Sequence, residues 1–367
     1  MEGLALQDGT RVTAISGTPV NEKNHKGSFI PRKREYKRGV SYVYLPVVNR
    51  HGIRDIIYAI TSFLECLRYI KRDRSEGRDS IIVADVLSAP VAMGAYLAAR
   101  LTGKPYTALV TDLPEYVYAE NDKAYRTVSD MLIKSAVFYV FLTEQMNEKI
   151  NEHKRPYTVI EGIVDITQKG SGDTLGTGRK DSKIGHLNEK DPKICLYTGN
   201  LNRKYGVMTM AKGFLRAKVP NSVLYICGKG DTREALEELA KDHDNIVFCG
   251  EVLSEEAVRM QKEADLLINP RPSSPEYTKY SFPSKIMEYM ASGTCVLMTD
   301  LPGVGKEYKE KAFIIKDESE EGMAESINEV LCKPDSELEV MGRKAREFVA
   351  EHKNKRIQAA KLWEMFE

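Results

Sequence analysis

The chain repeats one pattern twice: apolar runs of strand length alternate with stretches of helical spacing, and a long polar segment divides the two halves. Few folds remain open to such a chain, because strands that alternate with helices pair in parallel and build α/β domains. In the first half the strand-like runs are Arg11–Ser16, Val40–Val47, Asp79–Val86, Tyr106–Asp112, Phe138–Thr143 and Tyr157–Gly162. His51–Arg72 carries Ile53, Ile56, Ile57, Ile60, Phe63, Leu64 and Leu67 at helical spacing, and Pro90–Leu101 reads as an alanine-rich helix. Met1–Gly9 reads as the tail of a helix. Lys23–Arg38, basic and interrupted by Pro31, reads as a loop, solvated rather than facing acidic lipid.

The divider is rich in Gly, Ser and charge and lies at 166–192. Beyond it, strands are expected at Ile194–Gly199, Val223–Gly228, Asn245–Cys249, Asp265–Asn269, Cys295–Asp300 and Ala312–Ile315. Helices fall near Val207–Ala217, Thr232–Lys241, Glu255–Glu263 and Pro283–Met290, and Glu337–Phe366 closes the chain as helix. The expected organisation is an N-terminal domain at 1–165, the linker, a second doubly wound domain at 193–350, and a helix at 351–367.

Composition narrows the function. With 367 residues, 42% of them hydrophobic, the chain can fill two cores. A net charge of +1 gives no global basic field for nucleic acid. The six cysteines form no C-x-x-C pair and four sit in apolar, strand-like runs, so they read as reduced, buried thiols. The six histidines lack ligand spacing, and no metal site or cofactor is expected. No apolar run reaches the ~20 residues that span a bilayer. There is no G-x-S-x-G elbow and no G-x-G-x-x-G after the first strand, which argues against a hydrolase and a dehydrogenase.

The densest signal is Tyr280–Asp300, YSFPSKIMEYMASGTCVLMTD. Pro283 suits a first helical position, Ile286, Met287, Tyr289 and Met290 form an apolar stripe, and Gly293 ends the helix. A buried strand follows. Lys285 and Glu288 are charges that packing does not require; read plainly they are an i,i+3 surface pair. The helix N-terminus also offers free N–H groups to a phosphate.

FPSK-x-x-EYMASG-x-x-V resembles the donor-binding motif of family-4 glycosyltransferases, group 1, which have the GT-B fold of two Rossmann-like domains flanking a cleft. The resemblance implies that Glu288 holds the ribose of a sugar nucleotide. It also implies that Ser281, Phe282, Ser284 and Lys285 lie at the donor diphosphate, and that Tyr280 stands at the donor sugar. Glu288 matches the second glutamate of the family's Glu-x7-Glu pair, and the first falls on Tyr280. Tyr197–Gly206 resembles the family's G-x-L-x-x-K-x-G loop, which brings Gly199, Asn200 and either Arg203 or Lys204 to the phosphates; read alone it is a basic turn. Val252, in Gly250–Leu253, resembles the loop laid against the base. Arg271, after a strand, faces the same cleft or a surface partner. Asp112 stands where the family often places a catalytic histidine, and is either a catalytic carboxylate or an Asx turn before Pro114. Asp85 and Ser88 are lesser candidates. Gly228-Lys229-Gly230 reads as a turn.

What the resemblance implies is a retaining, metal-independent glycosyltransferase. It would move a sugar from a nucleotide-diphosphate sugar to a glycan or lipid-linked acceptor in cell-surface polysaccharide synthesis. It would be cytoplasmic, with peripheral association at the inner membrane face. The alternatives are another GT-B enzyme, such as a sugar-nucleotide epimerase, and a non-catalytic binding subunit. One further expectation concerns the N-terminal domain. In the family a buried first strand precedes the helix read at Met1–Gly9. Without it, Arg11–Ser16 and Asp79–Val86 would flank a slot ~9–10 Å wide. The domain is therefore expected to be incomplete: either its start lies roughly 20–40 residues upstream, or the chain is an inactive remnant.

Overall fold

The computed structural model describes residues 1–18, 29–50, 52–164 and 192–367. His51, Asp165, residues 23–28 of the basic stretch and the linker but for its last residue lie outside that set. The chain forms two compact units, Met1–Glu161 with Lys355–Glu367, and Gly162–Asn354.

In the first unit the strands are β1 (Val12–Gly17), β2 (Phe29–Ile30), β3 (Lys33–Lys37), β4 (Val40–Leu45) and β5 (Val47–Val48). Helix α1 (Ile53–Ser75) leads to β6 (Ile82–Asp85), α2 (Ala89–Thr102) and β7 (Tyr106–Val110). Then come α3 (Pro114–Val117), α4 (Lys123–Ser135), β8 (Phe138–Phe141), α5 (Glu144–Ile150) and β9 (Tyr157–Val159). β6, β7, β8 and β9 form a parallel sheet in that order. β1 pairs in parallel with β4, whose other edge takes β3 antiparallel. Val12–Gly17 and Ile82–Asp85 thus belong to different sheets and do not pair with each other among the described residues.

Two readings need correction. Lys33–Lys37 is a strand, not a loop, and every residue of it is exposed. A charged, fully solvated edge strand carries no apolar alternation for the sequence to display. Its hairpin is set by Arg38 and Gly39, both at positive φ (50° and 80°), as a two-residue turn between twisted strands requires. Arg34 then reaches the buried Glu65 of α1 at 2.9 Å. Near the N-terminus only Leu4–Leu6 is helical, as a single 3₁₀ turn.

Small residues bring α1 and α2 together. A Cβ on Gly94 would fall 2.2 Å from the Ala59 carbonyl oxygen, and Ser62 Oγ donates to the Val91 carbonyl at 2.8 Å.

The second unit runs β10 (Lys193–Asn200), α6 (Val207–Ala217), β11 (Ser222–Lys229), α7 (Arg233–Asp242), β12 (Ile246–Gly250), α8 (Ser254–Glu263) and β13 (Leu266–Asn269). It continues with α9 (Ser284–Ser292), β14 (Val296–Thr299), α10 (Lys306–Lys309), β15 (Phe313–Ile315), α11 (Glu320–Leu331) and α12 (Asp335–His352). The strands form one parallel sheet in the order β12-β11-β10-β13-β14-β15. Leu224, Ile226, Leu266, Ile268 and Leu297 of the sheet pack on Met210 and Phe214 of α6 and Met323 and Ile327 of α11. The strand order reverses between β10 and β13. In sheets of this kind the crevice beyond the carboxyl ends of such a strand pair is where ligands sit. The last helix, α13 (Lys355–Glu364), belongs to the first unit, where Phe366 meets Phe138 edge-on at 5.4 Å.

Candidate functional site

Two loops leave the reversal point, one after β10 and one after β13, and they are locked together. Gly206 has φ 74°, and a Cβ there would fall 2.2 Å from the Pro270 carbonyl oxygen. L side chains rarely adopt that backbone, and none fits that space. The contact sets Lys204 beside Arg271. The Lys204 Nζ lies 5.3 Å from the ring centre of Tyr205 and 5.9 Å from that of Tyr277. The Arg271 guanidinium lies 5.4 and 5.1 Å from the same two rings. Two cations thus share two aromatic faces, each contact attractive through the ring quadrupole. Neither cation has a carboxylate partner among the described residues. Arg271 donates to Ser281 Oγ at 3.2 Å, and its buried Nε has no hydrogen-bond partner. The arrangement is an uncompensated pair of positive charges at the start of α9, suited to an anion with several oxygens.

The sequence left open whether Arg203 or Lys204 stands at this point. The structure places Lys204 there; both side chains are exposed, and the Arg203 main-chain N–H is bonded to Asp231 at 2.7 Å. Pro283 is the residue before α9 rather than its first residue, and Ser284 is exposed in the first turn. Phe282 turns inward against Tyr308, ring centres 4.9 Å apart, so only its main chain is open to a ligand. Gly199 has the Tyr197 hydroxyl 3.0 Å from where its Cβ would be, and Asn200 Oδ1 accepts from the Asn202 N–H at 2.9 Å. Tyr280 ends the short turn Glu276–Tyr280 and is half-buried.

One turn into α9, Glu288 is held from two sides. Lys285 Nζ donates to both of its carboxylate oxygens at 2.9 Å. Gln261 of α8, 1% exposed, donates to it at 2.8 Å and to Thr198 Oγ1 at 2.9 Å through the same amide nitrogen. The Lys–Glu pair is therefore present, as a plain surface reading expects. The buried amide that also orients the carboxylate is not explained by such a pair. Next to it, the fully buried Tyr289 hydroxyl accepts the Thr198 N–H at 2.8 Å and donates to the Thr198 carbonyl at 3.0 Å. β10 and β13 exchange ladder pairs only at Cys195 and Leu196, so this phenol supplies what the ladder lacks at the strand end. Burial pushes its pKa up, and it stays a neutral donor.

Tyr205, Tyr277 and Gln261 were not singled out by sequence. Gln261 had a signal, a polar residue one turn after Ala257 on the buried face of α8. The two tyrosines had none, because they meet only when loops from β10 and β13 do.

Val252 lies in the loop after β12, the sheet's outer strand, where Glu251 pairs with Lys229 at 3.0 Å. Asp112 is an exposed residue of the first unit, two positions after β7. Asp85 is tied into its own turn by the Leu87 N–H at 3.0 Å, and burial raises its pKa. Among the described residues no three His, Cys, Asp or Glu side chains converge as metal ligands would, and no helix is long and apolar enough to cross a membrane.

Comparison with known proteins now defines the class. The whole chain superposes on 90% of a sucrose-phosphate synthase from Thermosynechococcus elongatus, with a TM-score of 0.66 and 16% identity. It also superposes, over 97% of its length and 98% of the other, on a trehalose 6-phosphate synthase from Burkholderia multivorans (TM-score 0.63, 12% identity). HepE from Anabaena, solved in complex with UDP, matches over 89% of this chain and 85% of its own (TM-score 0.61, 12% identity). The fold is that of the GT-B glycosyltransferases. No curated protein matches the chain. Residues 179–348 match the family described as Glycosyl transferases group 1.

Proposed function

We propose that the protein is a retaining glycosyltransferase that takes its sugar from a nucleotide-diphosphate donor and works without a bound metal. The observation that carries this reading is the Lys204–Arg271 pair between Tyr205 and Tyr277, beside Ser281. When the anomeric C–O bond breaks, its electron pair leaves with the diphosphate. Two fixed cations and the N–H groups at the start of α9 stabilise that charge. Glu288, oriented by Gln261, accepts from the ribose hydroxyls, and the loop at Val252 lies against the base. Asp112 acts on the acceptor side. The acceptor is a glycan or lipid-linked glycan at the cytoplasmic membrane face, in the synthesis of a cell-surface polysaccharide. UDP in the HepE structure supports a nucleoside diphosphate as the leaving group.

A thermal-shift screen against UDP-, GDP-, CDP- and ADP-sugars tests this. A donor at 100 times its Kd stabilises the folded state by about 2.7 kcal/mol. One nucleotide class should raise Tm by several degrees, and no rise with any of them would refute the reading. Tyr280, where the resemblance calls for a carboxylate, favours a second reading, a binding subunit without turnover. Such a subunit would show the Tm rise but form no glycoside product on chromatography.

A further inference from the structure

Helix α1 has two apolar faces. One carries Tyr58, Cys66 and Ile70, all buried, with Tyr58 packed on Leu45 and Val47. The other carries Ile53, Ile56, Ile60 and Leu64 at spacings of three and four, and all are exposed, Ile56 by 62% and Leu64 by 55%. Ile56 and Ile60 flank Ala59, the residue against which Gly94 of α2 is pressed. On α2, which packs against α1, Leu97 and Leu101 are exposed as well, Leu101 at 69%. A stripe of this length on two touching helices is more than the scattered apolar exposure of an ordinary surface.

The charges around it on α1 that have no ion-pair partner among the described residues are basic. The acidic residues of α1 are all engaged: Asp55 with Tyr125, Glu65 with Arg32 and Arg34, Asp73 with Arg11. Arg68, Lys71 and Arg74 follow the stripe into the last turns of the helix and make no ion pair among the described residues. A second copy laid on this face by a two-fold axis would bring the same cations and no free carboxylate to meet them. A bilayer with anionic headgroups meets both features, apolar side chains below the headgroups and cations at their level.

We propose that the outward face of α1 and α2 docks the protein on an anionic phospholipid surface, with Ile56, Ile60, Leu64 and Leu101 inserted and Arg68, Lys71 and Arg74 on the phosphates. This deepens the reading of the acceptor as membrane-borne and rests on it. The test is sedimentation of the full chain with vesicles of phosphatidylcholine alone or with phosphatidylglycerol added. Binding to the anionic vesicles, weakened by salt, is expected. Arg68→Glu with Lys71→Glu should lower the partition coefficient by about tenfold or more, since each cation near an anionic surface is worth roughly fivefold. Ile60→Gln with Leu64→Gln should lower it as well, with the circular dichroism spectrum unchanged because these side chains are exposed. Equal binding by the variants, no binding to anionic vesicles, or a dimer that Leu64→Gln abolishes would each overturn the proposal. The assay contains no nucleotide, so its failure leaves the donor reading to the thermal-shift screen.

Discussion

Replacing Glu288 by Gln keeps the side chain's shape and removes its charge. In the structure the carboxylate makes two kinds of contact, so the change has two separable costs. Its pair with Lys285 is 36% exposed on both sides, and pairs so solvated are worth about 0.2–1 kcal/mol. The bond from Gln261 survives, because the new amide can turn its oxygen toward that donor. Stability should therefore fall by no more than about 1 kcal/mol. For a domain of 150–250 residues that is about 2–4 °C in Tm. Donor binding is another matter. If Glu288 accepts from the ribose, the variant loses a charge-assisted hydrogen bond worth about 1.5–3 kcal/mol, roughly 10- to 150-fold in Kd. Calorimetric titration of the nucleotide sugar found in the screen, together with a thermal melt of each protein, separates the two effects. A folded Glu288→Gln variant with unchanged Kd would refute the assignment. A large Tm loss with unchanged Kd would show that Glu288 is a structural brace between α8 and α9.

Three further outcomes are expected. Arg271→Ala should weaken binding of the nucleoside diphosphate more than that of the free nucleoside, since the loss falls on the phosphates; equal losses in titration would argue against a phosphate site there. Tyr289→Phe leaves the buried Thr198 N–H and carbonyl without their partner, so denaturant unfolding should show a loss of about 1–3 kcal/mol, and an unchanged midpoint would contradict the bracing role. Transfer activity, once a donor and acceptor are in hand, should persist in EDTA; abolition by EDTA and recovery with manganese would overturn the metal-independent reading.

The sequence by itself determined that both halves are α/β, because that follows from periodicity, and periodicity is local. It also placed α9, read as Pro283–Met290 and found as Ser284–Ser292, through the apolar stripe of Ile286, Met287 and Met290 and the closing Gly293, found at φ 86°. It marked Lys285 and Glu288 as charges without a packing reason and left Arg271 between the cleft and a surface partner. It could not say what they meet. That Lys204 lies beside Arg271 was decided by the contact of Gly206 with Pro270, residues from two loops brought together by the strand reversal. Gln261 became the partner of Glu288 only because α8 packs on α9. The exposed strand Lys33–Lys37 was invisible because solvent covers it, and its pairing with β4 lies in backbone hydrogen bonds that no side-chain pattern reports. The apolar spacing of α1 was plain in the sequence, but only the packed structure shows which apolar face α2 and the core cover and which one they leave to solvent. Spacing along the chain fixes what a segment can become, and contacts between distant segments fix what its side chains are for.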